Sequence, residues 1–105
     1  MAKTADPVLS RFRTELNAIY GDRLERVVLF GSRARGDARP DSDYDIAVFL
    51  KDSGSFWQES GELARIETDI LYDTGAVINA LPFSHKAWLG PSPLMHELRR
   101  EGRDL

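Results

Sequence analysis

At 105 residues the chain is about one domain in size, and 42% hydrophobic with 30% charged residues describes an ordinary folded domain, which excludes a disordered tract. Fourteen Lys and Arg against seventeen Asp and Glu leave a net charge of -3, so nothing in the charge favours a nucleic acid as partner. Cysteine is absent, which excludes a disulfide framework and a thiolate metal site and fits a reducing compartment.

The opening stretch MAKTADPVLSRF lacks the apolar core of a signal peptide, and no apolar run approaches the roughly 18 residues of a membrane span. The expectation is a cytoplasmic chain with no membrane partner. Asp6-Pro7 reads as a helix start, because an aspartate caps free N–H groups and proline suits the first helical position. Val8, Phe12, Leu16, Ile19 and Tyr20 recur near helical spacing, and Gly21 marks the stop.

Arg26 to Phe30 (RVVLF) and Tyr44 to Leu50 (YDIAVFL) are β-branched and aromatic runs too short for helices, and both predict strands. Between them Gly31 and Gly36 permit tight turns, Ser32 to Arg35 opens a short helix, and RPDSD, Arg39 to Asp43, is rich in turn formers. From Ser55 to about Tyr72 an amphipathic helix is predicted, with Trp57, Leu63, Ile66 and Ile70 on its buried face and Glu59, Glu62, Glu67 and Asp69 toward solvent. Asp73-Thr74-Gly75 is a turn. Ala76 to Phe83 (AVINALPF) predicts a third strand, cut short by Pro82. Ser84 caps the next short segment, and Pro93 to Glu101 predicts a last helix carrying Leu94, Met95 and Leu98. WLGPSP is too short to separate domains, so residues 1–105 read as one α/β domain ordered α-β-α-β-α-β-α, its helices packed on a small sheet.

The chemistry gathers between the first two strands. Residues two apart on a strand share a face, so Asp43 and Asp45 stand together. Two such carboxylates repel unless a cation neutralises them, and an all-oxygen pair suits Mg²⁺, which takes one or two carboxylates and fills its octahedron with water and nucleotide phosphates. Gly31 has no side chain to hold a phosphate away, and the N–H groups of Ser32 and Arg33, with the Ser32 hydroxyl, can donate to one. Gly31 to Gly36 fits the first half of a P-loop, but Asp37 and Ala38 stand where its Lys and Ser/Thr belong, and Arg33 occupies the middle glycine of a dinucleotide fingerprint.

The joint pattern GSRARGDARPDSDYDIAV, a Gly-Ser followed by Asp-x-Asp, resembles the signature of the DNA polymerase beta-like nucleotidyltransferases, and most of all the minimal nucleotidyltransferase family, small domains paired with HEPN-domain toxins. The resemblance is detailed over Val27 to Leu50 and extends through the element order to nearly the whole chain. It implies a small mixed sheet, with Gly31, Ser32 and Arg33 at the nucleotide phosphates and Asp43 and Asp45 as catalytic Mg²⁺ ligands. It further implies transfer of a nucleoside monophosphate, AMP from ATP by preference, to a hydroxyl of a HEPN-type toxin, the chain acting as antitoxin.

One departure stands out. Many relatives carry a third carboxylate on the next core strand, where AVINALPF offers only Asn79, an uncharged amide that is neither a good ligand nor a base. Asp69 and Asp73 lie close in sequence, but on a helix and a turn that point them elsewhere. A tyrosine hydroxyl, with a pKa of about 10, needs less help than an aliphatic alcohol, so a partner tyrosine is the favoured acceptor. The same gap equally fits a chain that keeps the fold and neutralises its partner by occlusion without catalysis. Transfer to a nucleic acid or to a small molecule such as an aminoglycoside is a third reading, weakened by the negative charge and by the lack of a second domain to shape a pocket.

The remaining candidates have plainer roles. Arg35 is a solvated loop cation or a phosphate contact, Tyr44 falls on the strand face opposite the aspartates, and Trp57 and Trp88 are core or interface anchors. His85 and His96 have no second ligand at metal spacing and are expected at the surface or at helix ends.

Overall fold

Helix α1, Pro7–Tyr20, begins at the expected cap: Asp6 is extended, and its Oδ1 accepts from the N–H of Val8 at 2.8 Å and of Leu9 at 3.4 Å. The structure, a computed structural model, describes residues 6–52 and 55–105, so the start of the stretch read for a leader lies outside the described residues. Leu9, Phe12, Leu16 and Tyr20 form the buried stripe of α1, and Gly21, at φ 51°, ends it.

A 3₁₀ turn, Gly21–Arg23, leads into strand β1, Leu24–Phe30. Then come the one-turn helix α2, Ser32–Arg35, strand β2, Tyr44–Leu50, helix α3, Phe56–Thr74, and strand β3, Ile78–Ser84. A second 3₁₀ turn, His85–Leu89, is capped as expected by Ser84, and helix α4, Pro93–Glu101, is capped by Ser92. The chain then adds an element the sequence did not announce, the two-residue strand β4, Arg103–Asp104.

The sheet runs β3-β2-β1-β4. Strand β1 is antiparallel to both β2 and β4, whereas β2 and β3 are parallel and joined through α3, which makes the sheet mixed. Its faces are covered unequally. On one face α1 and α3 bury Val27, Leu29, Tyr44, Ile46, Val48, Leu50 and Ile78 in the main core. On the other, α4 and the second 3₁₀ turn bury Val28, Ala47 and Phe49 with Met95 and Leu98. Trp88 meets Phe49 edge-on at 5.5 Å between ring centres, the anchoring role expected of it.

Three expectations are corrected. The buried stripe of α3 is Glu59, Leu63, Ile66 and Ile70, and Trp57 is 81% exposed. Trp57 precedes Leu63 by six residues, which is not a whole number of helical turns, whereas Glu59 precedes it by four and so turns inward. Burial of Glu59 is tolerated because the Arg23 guanidinium pairs with it. Glu67, four residues after Leu63, lies on the rim of the same stripe, half-buried, and accepts from the N–H of Ala80 at 2.7 Å. Finally, Pro82 does not cut β3 short; it pairs in register with Val48. The Ala80 N–H goes to Glu67, on the side of β3 away from β2, and Pro82 two residues on faces the same way, so the donor it lacks is missing only from the outer edge. Among the described residues no helix is long and apolar enough to cross a membrane.

Candidate active site

Asp45 lies at the start of β2, level with Phe30 at the end of β1 and with Asn79 on β3. Gly31, which follows Phe30, therefore turns directly beside the Asp45 carboxylate. Its φ of 74° and ψ of -157° suit glycine alone, and a Cβ built there would sit 2.5 Å from Asp45 Oδ2. Glycine is required here twice, by its backbone angles and by the carboxylate. Ser32 then opens α2, and its half-buried side chain stands one residue from this contact.

Asp43 precedes the strand by one residue and is exposed, whereas Asp45 is half-buried. Both turn toward Asn79, whose Nδ2 donates to Asp43 Oδ2 at 3.0 Å and makes a longer contact of 3.5 Å with Asp45 Oδ1. One amide thus bridges two carboxylates across the parallel pair. The sequence identified Asn79 as the polar side chain of its strand but not this contact, because the register between β2 and β3 is set by long-range pairing. Tyr44 points the other way, into the main core, where its hydroxyl donates to Asp6 Oδ2 at 2.7 Å.

Arg33, expected among the phosphate contacts, has donors placed on the loop that leads to Asp43. Its Nε donates to the Ser42 carbonyl at 3.0 Å, and its Nη2 to the carbonyls of Ser42 at 2.8 Å and Pro40 at 3.1 Å. The guanidinium lies 3.9 Å from the centre of the Tyr44 ring, a cation–π stack that orients the fork. Arg35 is exposed and pairs with Asp37 at 3.4 Å. Asp73 lies in the last turn of α3, not in the turn expected at Asp73-Thr74-Gly75, and pairs with Arg11 at 2.7 Å, so it is turned away from the aspartates. His85 Nδ1 lies 3.3 Å from the Leu50 carbonyl at the far end of β2, and His96 is exposed on α4.

Among the described residues neither Asp43 nor Asp45 has an ion-pair partner, and no group of three or more His, Cys, Asp or Glu stands together. The local donor set is therefore two uncompensated carboxylates and one amide. That set fits a hard cation that needs only one or two protein carboxylates and takes its other ligands from water and phosphate. It does not fit zinc, which seeks four nitrogen, sulfur or carboxylate ligands in a closed site.

The site thus sets two carboxylates, one on β2 and one just before it, against a Gly-Ser turn at the end of β1 in a mixed sheet. The comparisons with known proteins specify the class: a family model described as a nucleotidyltransferase domain matches residues 9–97, and the chain belongs to that family. "Putative protein adenylyltransferase MJ0604" of Methanocaldococcus jannaschii is 30% identical over 76 residues, 72% of this chain and 70% of that protein. "Putative protein adenylyltransferase MJ0141" of the same organism is 40% identical over 45 residues, 43% of this chain, and the match spans 46% of that protein's length. Among solved structures, one described as a "putative minimal nucleotidyltransferase" superposes with a TM-score of 0.59 at 25% identity, over 98% of this chain and all of that one. A chain from a variant of the toxin–antitoxin MntA–HpeT gives 0.63 at 17% identity, over 92% of this chain and 70% of that one. The fold is the polymerase beta-like fold of the minimal nucleotidyltransferases.

Proposed function

We propose that the protein transfers AMP from ATP, with Mg²⁺, to a tyrosine hydroxyl of a HEPN-type toxin, and so serves as its antitoxin. The observation that carries this reading is the placement of Asp43 and Asp45 side by side, without a cationic partner among the described residues, against the Gly31 turn. The names of the Methanocaldococcus relatives support adenylyl transfer, and the toxin–antitoxin chain that shares the fold supports the pairing with a toxin.

In this reading Asp43 and Asp45 hold the cation, which supplies neutralisation of the charge on the phosphates. Gly31 lets the triphosphate approach the backbone, and Ser32 donates its N–H and hydroxyl to it. Arg33 serves from beneath: by holding the Ser42 and Pro40 carbonyls it fixes the loop from which Asp43 projects. The acceptor oxygen forms a bond to the α-phosphorus while the bond to the bridging oxygen breaks, pyrophosphate departs with the electron pair, and the phenol's proton goes to water.

One observation favours a second reading, a binding module that neutralises by occlusion. Asn79 stands where a carboxylate would complete the site, and it cannot accept a proton. Incubation of the protein and its co-purifying partner with Mg²⁺ and ATP labelled at the α-phosphate separates the two. Covalent label on the partner with wild type, and at least about a hundredfold less with Asp43→Asn/Asp45→Asn, is the expected result. Absence of label from a demonstrably formed complex, with neutralisation untouched in the variant, would establish occlusion instead.

A further inference from the structure

We propose that the outer face of α3 is the surface through which two copies of this chain pair, helix against antiparallel helix, about a two-fold axis. The inference is independent of the catalytic reading above.

Helix α3 turns Glu59, Leu63, Ile66 and Ile70 inward. At 3.6 residues per turn, Trp57, Gly61, Ala64, Thr68, Leu71 and Tyr72 fall on the opposite side, within about 50° of its midline. All six are exposed, Trp57 by 81% and Tyr72 by 85%. No charged side chain falls among them, although a helix lying on a core ordinarily turns its charges outward. The charges of α3 stand instead on its flanks, Glu62, Arg65 and Asp69 to one side and Glu67 to the other. Phe56 is also more than half exposed, and its ring meets Trp57 edge-on at 5.7 Å between centres, which widens the apolar surface. From Trp57 to Leu71 the intervals run four, three, four and three residues, the spacing of a seam between two helices. A continuous apolar face of this kind marks a surface that another protein covers.

Shape, charge and area select a second copy as the occupant. The face is large at both ends, with Trp57 at one and Leu71 and Tyr72 at the other, and small in the middle, where Gly61, Ala64 and Thr68 stand. A two-fold axis at Ala64 and Arg65 lays Trp57 of each copy on Leu71 and Tyr72 of the other, and the small residues between let the helices approach closely. The same axis keeps like flanks together. It sets Arg65 of one copy less than a turn from Glu62 of the other, so the ion pair that each chain makes within itself at 3.0 Å can be exchanged across the seam. A covered aromatic side chain buries about 150–250 Å², so Phe56, Trp57 and Tyr72 at their present exposure offer on the order of 450 Å². Leu71 and the small residues bring each copy's share to roughly 700 Å², close to the about 800 Å² per partner of a stable interface.

The surface also lies apart from the carboxylates. Helix α3 covers the face of the sheet that carries Tyr44 and Ile46, whereas Asp43, Asp45 and Asn79 belong to the other face. A protein that reaches the carboxylates from their own side leaves the outer face of α3 bare. A pair joined through α3 keeps both sets of carboxylates open.

Sedimentation equilibrium of the full chain, without any partner, from about 1 to 200 μM is expected to show monomer passing to dimer with a Kd in the micromolar range. Tryptophan emission is expected to move to the blue over the same range as Trp57 leaves water, and to stay in place in Trp57→Ser. Ala64→Arg puts like charges on the axis and is expected to raise Kd at least about a hundredfold, with Tm unchanged because the position is exposed and arginine is a good helix former. Arg65→Glu is expected to weaken pairing about tenfold, and Arg65→Glu combined with Glu62→Arg to restore it, which only a pairing that sets these two positions against each other would do. A wild type that stays monomeric to the top of that range, or a dimer that Ala64→Arg leaves intact, would overturn the proposal. A monomeric wild type whose co-purified complex with another protein is broken by Ala64→Arg would overturn it as well and give the face to that protein.

Discussion

Gly31 is the residue at which sequence, backbone and chemistry meet most closely. Its backbone angles belong to a region that costs other residues about 1–3 kcal/mol, and a methyl group there would press on Asp45 Oδ2. Gly31→Ala is therefore expected to lose about 1–3 kcal/mol in urea unfolding and, separately, to weaken Mn²⁺ binding measured in the folded range, because Asp45 must turn aside. Unaltered metal affinity would show that Asp45 has room to yield. Tyr20 illustrates a residue at odds with its surroundings. Among the described residues its buried hydroxyl has no partner, and burial, with the neighbouring Glu59 and Glu62, pushes the phenol up to about 12. A phenol whose folded pKa is raised leaves stability whole below pH 10 and erodes it as pH climbs from 10 to about 12. Tyr20→Phe is expected to gain about 1 kcal/mol at neutral pH, by removing an unsatisfied buried group, and to flatten the alkaline loss in a denaturation series from pH 9 to 12. A variant less stable than wild type at pH 7 would mean that the hydroxyl is satisfied in solution.

Elements with a local signal were legible and those without one were not. The Asp6-Pro7 start, the β-branched run of β2 and the Pro93 start of α4 set bounds that the structure reproduces, because caps, proline and β-branched side chains act on their own backbone. Strand β4 has no such signal, since Arg103 and Asp104 become a strand only by pairing with Leu29 and Val28. The rotation of α3 was misread for a related reason: Trp57 is apolar, but the helical period turns it outward and brings Glu59 in, where Arg23 compensates its charge. The aspartates and the Gly-Ser turn were found because adjacent residues carry them, whereas Asn79 joins them only through the β2–β3 register. Glu67 links that register to pH. Burial raises its carboxyl above the ordinary range, although the N–H of Ala80 pulls the other way. Stability from a carboxyl so raised is full below the ordinary pKa and is lost as pH rises through the raised value. Glu67→Gln, neutral at every pH and still able to accept from Ala80, should match wild type near pH 4 and exceed it at pH 7.5 in urea midpoint. An advantage confined to pH 4 would reverse the assignment.

For the whole molecule, the unequal covering of the sheet decides where chemistry is possible. Helices α1 and α3 seal one face, but α4 and the second 3₁₀ turn cover only the end of the other that carries Val28, Ala47 and Phe49. The uncovered end holds Asp43, Asp45 and Asn79, so the two carboxylates add nothing to either core and repel each other within reach of one amide nitrogen. Their retention is understandable if a cation binds the folded state. A ligand that binds only the folded chain stabilises it by about 1.4 kcal/mol at ten times its Kd, which for a domain of this size raises Tm by about 5–10 °C. Thermal unfolding of wild type is accordingly expected to shift upward by that amount with Mg²⁺ and ATP together and to return on chelation. Asp43→Asn/Asp45→Asn should start from a Tm at or above that of untreated wild type, because the repulsion is gone, and should not respond to Mg²⁺ and ATP. A variant that starts lower and still rises with Mg²⁺ and ATP would place the cation elsewhere and make the carboxylates structural.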